Sequence, residues 1–260
     1  MNKKGRCVVV SAAEIKNYEK ISSYLKPDDY FVVCDGGLNH CKPLGIKPDL
    51  IVGDFDSFDK AELPLPTATP PANGDRPLGA SWSQGDGSPP SSGDRPLGAS
   101  RNQGDGSPGS NGDRPPEIIQ LPWEKDDTDT FYAVKEALKR GFTQFLLLGV
   151  IGQRFDHSLV NISVLLYLKE QGAQATIVDD YSEMQLVGAE PVRVSKDCAN
   201  FSLLCVAGDV SGVTVTGAKW SLDNAQIKTS YQYGISNQVE APEGAVVCVR
   251  EGVLLLVIVK

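Results

Sequence analysis

The sequence predicts an α/β fold: an N-terminal domain with a parallel sheet flanked by helices, followed by a small C-terminal all-β sandwich. Three observations carry this. Up to Gly172, short apolar runs ending in glycine or aspartate alternate with stretches of helical spacing, the pace of strand–turn–helix–strand units. From Ala175 onward only short strands and turns follow, with no long amphipathic pattern. Between about 66 and 116 a biased segment interrupts the first region. The expected organisation is therefore 1–172 for the α/β domain, with its insert, and 173–260 for the sandwich.

The elements follow in order. Residues 6–10 form a candidate first strand, followed by Ser11, Ala12 and Ala13. Ile15, Tyr18, Ile21 and Leu25 have helical spacing, with Pro27 just past the end. Strands are expected at 31–34, ending in Asp35-Gly36-Gly37, and at 50–52, with a short helix between them before Gly45. After the insert come a strand at 118–121, a helix at 131–140 closed by Gly141, and a buried strand at 145–148. A helix then runs through Leu159, Ile162, Leu165, Leu166 and Leu168 to Gly172. Strands are expected beyond it at 175–178, 184–187, 201–206, 212–216, 245–249 and 253–259.

Inside the insert, Gly-Asp-Arg-Pro recurs at Gly74, Gly93 and Gly112 with a period of 19 residues. These units offer single leucines and one Trp82, no apolar face on which repeats could stack, so disorder is expected. Lengthening a loop from ~6 to ~50 residues costs only roughly 2 kcal/mol in closure entropy, so the flanks can belong to one domain.

The chain has 260 residues, 41% of them hydrophobic, and a formal net charge of -8. That balance argues against general nucleic-acid binding, which needs Lys/Arg clusters, and says little against a nucleotide. The six cysteines form no C-x-x-C pair, and no signal peptide is recognisable. They read as reduced thiols in a cytoplasmic protein. The longest apolar run, 253–259, is too short to span a bilayer.

The chemistry gathers at strand ends. The stretch Gly53-Asp54-Phe55-Asp56-Ser57 follows a buried strand. If the backbone stays extended, the two carboxylates leave on one side, ~7 Å apart along the chain. At ~4 Å such charges repel by ~4 kcal/mol at an effective dielectric of ~20, which invites a divalent cation. Asp126, Asp127 and Asp129 crowd the start of a helix; capping needs only one of them, and the excess favours a cation site. In Gly152-Gln-Arg154-Phe-Asp156-His157, Arg154 offers a fork to phosphate, although Arg154 and Asp156 also suit a surface ion pair and an N-cap. Trp220 and Ser236-Asn237 stand out in loops of the β region, where a lone Trp is most often core and Ser-Asn most often a turn.

Together these segments resemble the thiamine pyrophosphokinase (thiamine diphosphokinase) family. The resemblance rests on Asp35-Gly36-Gly37-Leu38-Asn39, Gly53–Ser57, Lys125-Asp126-Asp127-Thr128-Asp129, Gly152–His157, Gly217-Ala-Lys-Trp220-Ser-Leu222 and Ser236-Asn237, in that order. It implies transfer of the diphosphoryl group of ATP to the hydroxyl of thiamine, giving thiamine diphosphate and AMP, in a homodimer with sites between subunits. It implies Mg²⁺ at Asp54, Asp56, Asp126 and Asp129, with Arg154 also catalytic. The nucleotide would be met by Asp35, Gly36, Gly37, Asn39, Ser57, Thr128, Arg154 and Asp156. Thiamine would be met by Trp220, Ser236, Asn237 and His157. No nucleic-acid or membrane partner is implied.

Two departures stand out: Ala12-Ala13 where the family commonly has glycine, and the insert. Two alternatives stay open on the residues. Apolar strand then Asp-x-Asp also resembles haloacid-dehalogenase-like phosphatases, with Asp54 as nucleophile. A thiamine or nucleotide sensor without turnover is the other.

Overall fold

Val8 and Val10 point to one face of a strand and Cys7 and Val9 to the other, and all four are fully buried. That double burial is the mark of a strand inside a parallel sheet covered on both sides. The computed structural model describes residues 5–55, 115–122, 124 and 126–260. The insert, Asp56 and Ser57 lie outside the described residues.

A nine-stranded sheet organises the chain, in the order β4-β3-β2-β1-β5-β6-β7-β13-β9. Its parallel part comprises β1 (Cys7–Val10), β2 (Tyr30–Cys34), β3 (Leu50–Gly53), β4 (Glu117–Gln120), β5 (Gln144–Leu148) and β6 (Gln174–Val178). Helices α1 (Tyr18–Ser22) and α2 (Leu38–Leu44) accompany one face, where Ile21 and Leu44 pack with Val8, Val10 and Val33. Helices α3 (Asp129–Lys139) and α4 (Phe155–Glu170) cover the other, where Ala133, Val134, Val164 and Leu168 pack with Val9, Val32 and Leu147. The strands on either side of the insert are neighbours: Leu50 to Gly53 pair in parallel register with Glu117 to Gln120.

The remaining strands are β7 (Ser182–Val187), β8 (Val192–Val194), β9 (Asn200–Cys205), β10 (Val210–Thr216), β11 (Leu222–Ile227), β12 (Ala245–Glu251) and β13 (Leu254–Val259). Here the large sheet turns antiparallel, with β13 between β7 and β9. A second sheet, β11-β10-β12-β8, completes the sandwich. Phe201, Leu203, Leu254 and Leu256 from one layer share a core with Val213, Val215, Val247 and Ile227 from the other.

Three features depart from the sequence reading. The first helix is one turn and a half, not 15–25: the Asp180 carboxylate accepts from the backbone N–H of Lys16 and Asn17 at 2.9 and 2.8 Å, keeping them out of the helix. The strand β6 continues the parallel sheet instead of opening the antiparallel region. Two strands, β8 and β11, are additional. Burial pushes the Cys41 thiol up to about 11 and the Cys7 thiol higher still, so both behave as small hydrophobes. Among the described residues, no helix is long and apolar enough to cross a membrane.

Candidate functional site

The chain steps from β1 through β2 and β3 to β4 at one edge, then returns through α3 to β5 on the other side of β1. The carboxyl ends of β1 and β5 therefore flank a topological switch point, where open α/β sheets bind ligands. A pocket of about 470 Å³ opens there, lined by Ser11, Ala12, Ala13, Thr128, Gly149, Gly152 and Arg154 among others. Ser11 N–H donates to Leu148 O at 2.9 Å and Ala13 N–H to Gly149 O at 2.8 Å, carrying the β1–β5 pairing past the strand ends. The Ser11 and Thr130 hydroxyls meet at 3.0 Å and tie this loop to α3.

Ala12-Ala13, where the resemblance implied glycine, is accommodated by glycines opposite. A Cβ at Gly36 would stand 2.5 Å from the Ala12 methyl, and one at Gly152 would stand 2.8 Å from the Ala13 methyl. The methyl groups occupy space that neighbouring residues leave open. Gly149 has φ +62°, and a Cβ there would collide with the Ser11 carbonyl.

Of the residues expected at the nucleotide, Arg154 and Thr128 line this pocket. Thr128 also caps α3, its hydroxyl accepting from Phe131 N–H at 3.2 Å. Arg154 holds Asp156 in a two-pronged pair of 3.0 and 2.6 Å, both side chains exposed, so the surface ion pair is realised. The hydrogen bonds from Arg154 hold the Asp156 carboxyl well below the usual carboxylate range. Asp35, Gly36 and Gly37 form a tight 3-10 turn after β2, with Asp35 buried, and Asn39 is exposed on α2; none of the four lines the pocket. His157, expected at thiamine, lines the switch-point pocket beside Arg154.

The carboxylates stand as follows. Asp54 comes directly after β3, Asp129 opens α3, and Asp126 is exposed just before it. Phe55 is buried and has φ +56°, a left-handed conformation that costs a bulky residue on the order of 1–3 kcal/mol. The extended backbone on which a shared side for Asp54 and Asp56 depends thus does not continue beyond Asp54. Asp127 is engaged by Lys135 at 2.7 Å. Among the described residues no group of three or more His, Cys, Asp or Glu side chains is gathered for a metal ion. The donor chemistry of the expected set, all carboxylate oxygen, fits a hard cation such as Mg²⁺.

A second pocket, of about 490 Å³, lies in the β region, walled by Trp220, Leu222, Tyr233, Ile235, Asn237 and neighbours. Trp220 is 53% exposed, so it is not core packing. The Lys219 ammonium sits 4.8 Å from its ring centroid. Asn237 is buried, and Ser236 beside it has φ +58°. The two pockets have no lining residue in common.

Sequence reasoning passed over three side chains that shape the first pocket. Ser158 and Asn161, both buried on α4, hold the loop after β5: Gly152 N–H donates to Ser158 Oγ at 3.1 Å, and Asn161 Nδ2 donates to Val150 O at 2.7 Å. Polar residues three apart on an otherwise apolar helix were the available signal. His40, also buried, has Nε2 at 3.1 Å from Ala13 O and Nδ1 at 2.8 Å from the Tyr18 hydroxyl. The carbonyl requires a proton on Nε2, so Nδ1 accepts from Tyr18. Burial lowers the His40 pKa and favours this neutral form.

Two family profiles match the sequence. One, described as "Thiamin pyrophosphokinase, catalytic domain", covers residues 21–66 and 111–177. The other, "Thiamin pyrophosphokinase, vitamin B1 binding domain", covers residues 191–254. The chain belongs to the thiamin pyrophosphokinase family. A thiamine pyrophosphokinase of Bacillus subtilis (strain 168) is 26% identical over 136 residues, which are 52% of this chain and 63% of that protein. The aligned part thus spans under two thirds of that relative. The crystal structure of thiamine pyrophosphokinase from Bacillus subtilis is similar with a TM-score of 0.70 at 19% identity, covering 98% of this chain and 99% of the other. Yeast thiamin pyrophosphokinase has a TM-score of 0.60 at 12% identity, over 100% and 88% of the two chains. At these identities the structural likeness is one of fold. Neither the phosphatase nor the sensor alternative finds support among the relatives of this thiamin pyrophosphokinase family member.

Proposed function

We propose that the protein is an ATP-dependent thiamine diphosphokinase that moves the diphosphoryl group of ATP to the thiamine hydroxyl and releases AMP. The observation that carries this is the pair of pockets, one at the switch point of the parallel sheet and one walled by an exposed tryptophan. In this reading Arg154 exchanges Asp156 for nucleotide phosphate, and the closely approached backbone at Ala13, Gly149 and Gly152 lets the phosphates lie near main-chain groups. Trp220 stacks on thiamine, whose positive charge makes the aromatic face worth about 0.5–2 kcal/mol. Mg²⁺ would be held by Asp54, Asp126 and Asp129 with Asp56, and would neutralise phosphate charge there. Asp156 and His157 would flank the nucleotide end, and Ser236 would border thiamine.

A homodimer is part of the proposal. Phe155, Leu159 and Val160 at the start of α4 are 72%, 53% and 44% exposed, an apolar face that a second copy would cover. Two pockets without a shared lining residue also favour a site completed by two subunits. The proposed location is the cytoplasm. The 1–172 and 173–260 division remains our functional partition, the first part for nucleotide and metal, the second for thiamine.

Purified protein given ATP, Mg²⁺ and thiamine is expected to form thiamine diphosphate and AMP; ADP as the nucleotide product overturns the reaction. Asp54→Asn is expected to abolish most turnover with the fold intact. Removing residues 66–116 is expected to leave activity nearly unchanged.

A further inference from the structure

Asn237 is 6% exposed, and its amide is committed to main chain. Its Oδ1 accepts from Trp220 N–H at 3.1 Å and from Gln238 N–H at 2.9 Å, and its Nδ2 donates to Trp220 O at 2.8 Å. Both lone pairs of the amide oxygen are thereby used, together with one of its two N–H donors. The backbone of Asn237 in turn exchanges hydrogen bonds with Phe201 of β9 at 2.9 and 2.7 Å. Phe201 is fully buried in the sandwich core.

The side-chain amide therefore acts as an extra peptide group. It pairs with the N–H and C=O of one residue, as a neighbouring strand would, and connects that residue to the core through β9. The residue so held is Trp220, which is 53% exposed. Ser236 strengthens the anchor from the other side, donating its backbone N–H to Ser202 Oγ at 3.0 Å from a left-handed conformation.

We propose that Asn237 is a positioning residue: it fixes the Trp220 main chain so that the indole is aimed before ligand arrives, and acts on ligand through Trp220. The ligand is an aromatic cation, and this part rests on the assignment of thiamine to the Trp220 pocket. Pre-organisation of this kind saves the ordering cost that a mobile side chain would incur on binding.

Two readouts test it, one without ligand. With Trp82→Phe and Trp123→Phe, Trp220 is the sole tryptophan, and Asn237→Ala is expected to lower its fluorescence anisotropy; unchanged anisotropy overturns the clamp. The second is a double-mutant cycle on full-length protein. Asn237→Ala is expected to raise the KM for thiamine by up to about tenfold in an otherwise native chain, the cost of ordering one released side chain on binding, and to leave the KM for ATP unchanged. In a Trp220→Ala background the same change is expected to do less than about twofold, since nothing is left to aim. An equal effect in both backgrounds would mean direct contact and overturn the proposal. Should Asn237→Ala not fold, Asn237→Ser keeps a neutral polar side chain too short to bridge the N–H and C=O of Trp220, and the same comparisons apply. If Trp220→Ala leaves thiamine binding untouched, the thiamine assignment fails, and the anisotropy still decides the clamp.

Discussion

The two pockets are similar in size, about 470 and 490 Å³, and built from different material. At the switch point small residues and main chain share the wall with Arg154 and His157, and polar side chains pull the loops into place: Ser158 and Asn161 from α4, His40 from α2. In the sandwich the wall is a large exposed aromatic, and the polar side chain behind it, Asn237, holds its backbone. A phosphate site needs room for close main-chain approach, whereas an aromatic ligand needs a side-chain surface. The same supporting device, a buried amide bonded to backbone, serves both.

The comparison predicts where each pocket fails. Gly149→Ala is expected to be the most damaging change, destabilising by about 2–4 kcal/mol in urea unfolding, since the new Cβ meets the Ser11 carbonyl at a positive φ. A loss under about 1 kcal/mol would mean that the β1 and β5 loops are not locked together as described. Trp220→Ala is expected to leave stability nearly intact while raising the thiamine KM by up to about thirtyfold, the upper end of a cation–π contact. Kinetics with each substrate varied in turn would show whether the effect is confined to thiamine.

His40 gives a smaller, pH-dependent effect. Its pKa in the fold is lowered from 6.5 by burial. Below the unfolded value, the unfolded chain then binds more protons than the native one, so stability falls as pH drops from about 6.5 toward the folded pKa, and is unaffected above it. Thermal unfolding between about pH 7.5 and 5.5 should therefore show a steeper loss for the native chain than for His40→Gln; parallel curves would remove His40 from the account. The smallest expected effect is at Lys219, whose ammonium now occupies the Trp220 ring. Lys219→Met should tighten thiamine binding by about two- to fivefold through loss of a competing cation, measurable by calorimetry.

Much of the fold could be read in advance from runs such as Val8-Val9-Val10 and Leu146-Leu147-Leu148, because burial on both faces leaves only apolar residues in central strands. The strand β11 could not. Its sequence Leu-Asp-Asn-Ala-Gln-Ile is polar at an edge, with Asn224 at φ +48° and register shifts against β10, so pairing and not composition makes it a strand. The site divides the same way. Arg154 and Trp220 stood out by type and surroundings, Thr128 only through the family resemblance, and all three line pockets. The separation of His157 from Trp220 within one chain was not recognisable, nor was the turn at Phe55.

The sequence by itself determined the class of each layer, the strand ends at which polar residues gather, and the family. Those are properties of local pattern and of residue type at each position. Only the tertiary structure decided which groups meet across long separations. Asp180 cuts short a helix near the N-terminus, β3 pairs with β4 across the insert, and Asn237 on the sandwich sets the backbone of Trp220. Hydrogen-bond partners that far apart are fixed by packing, and no spacing along the chain encodes them.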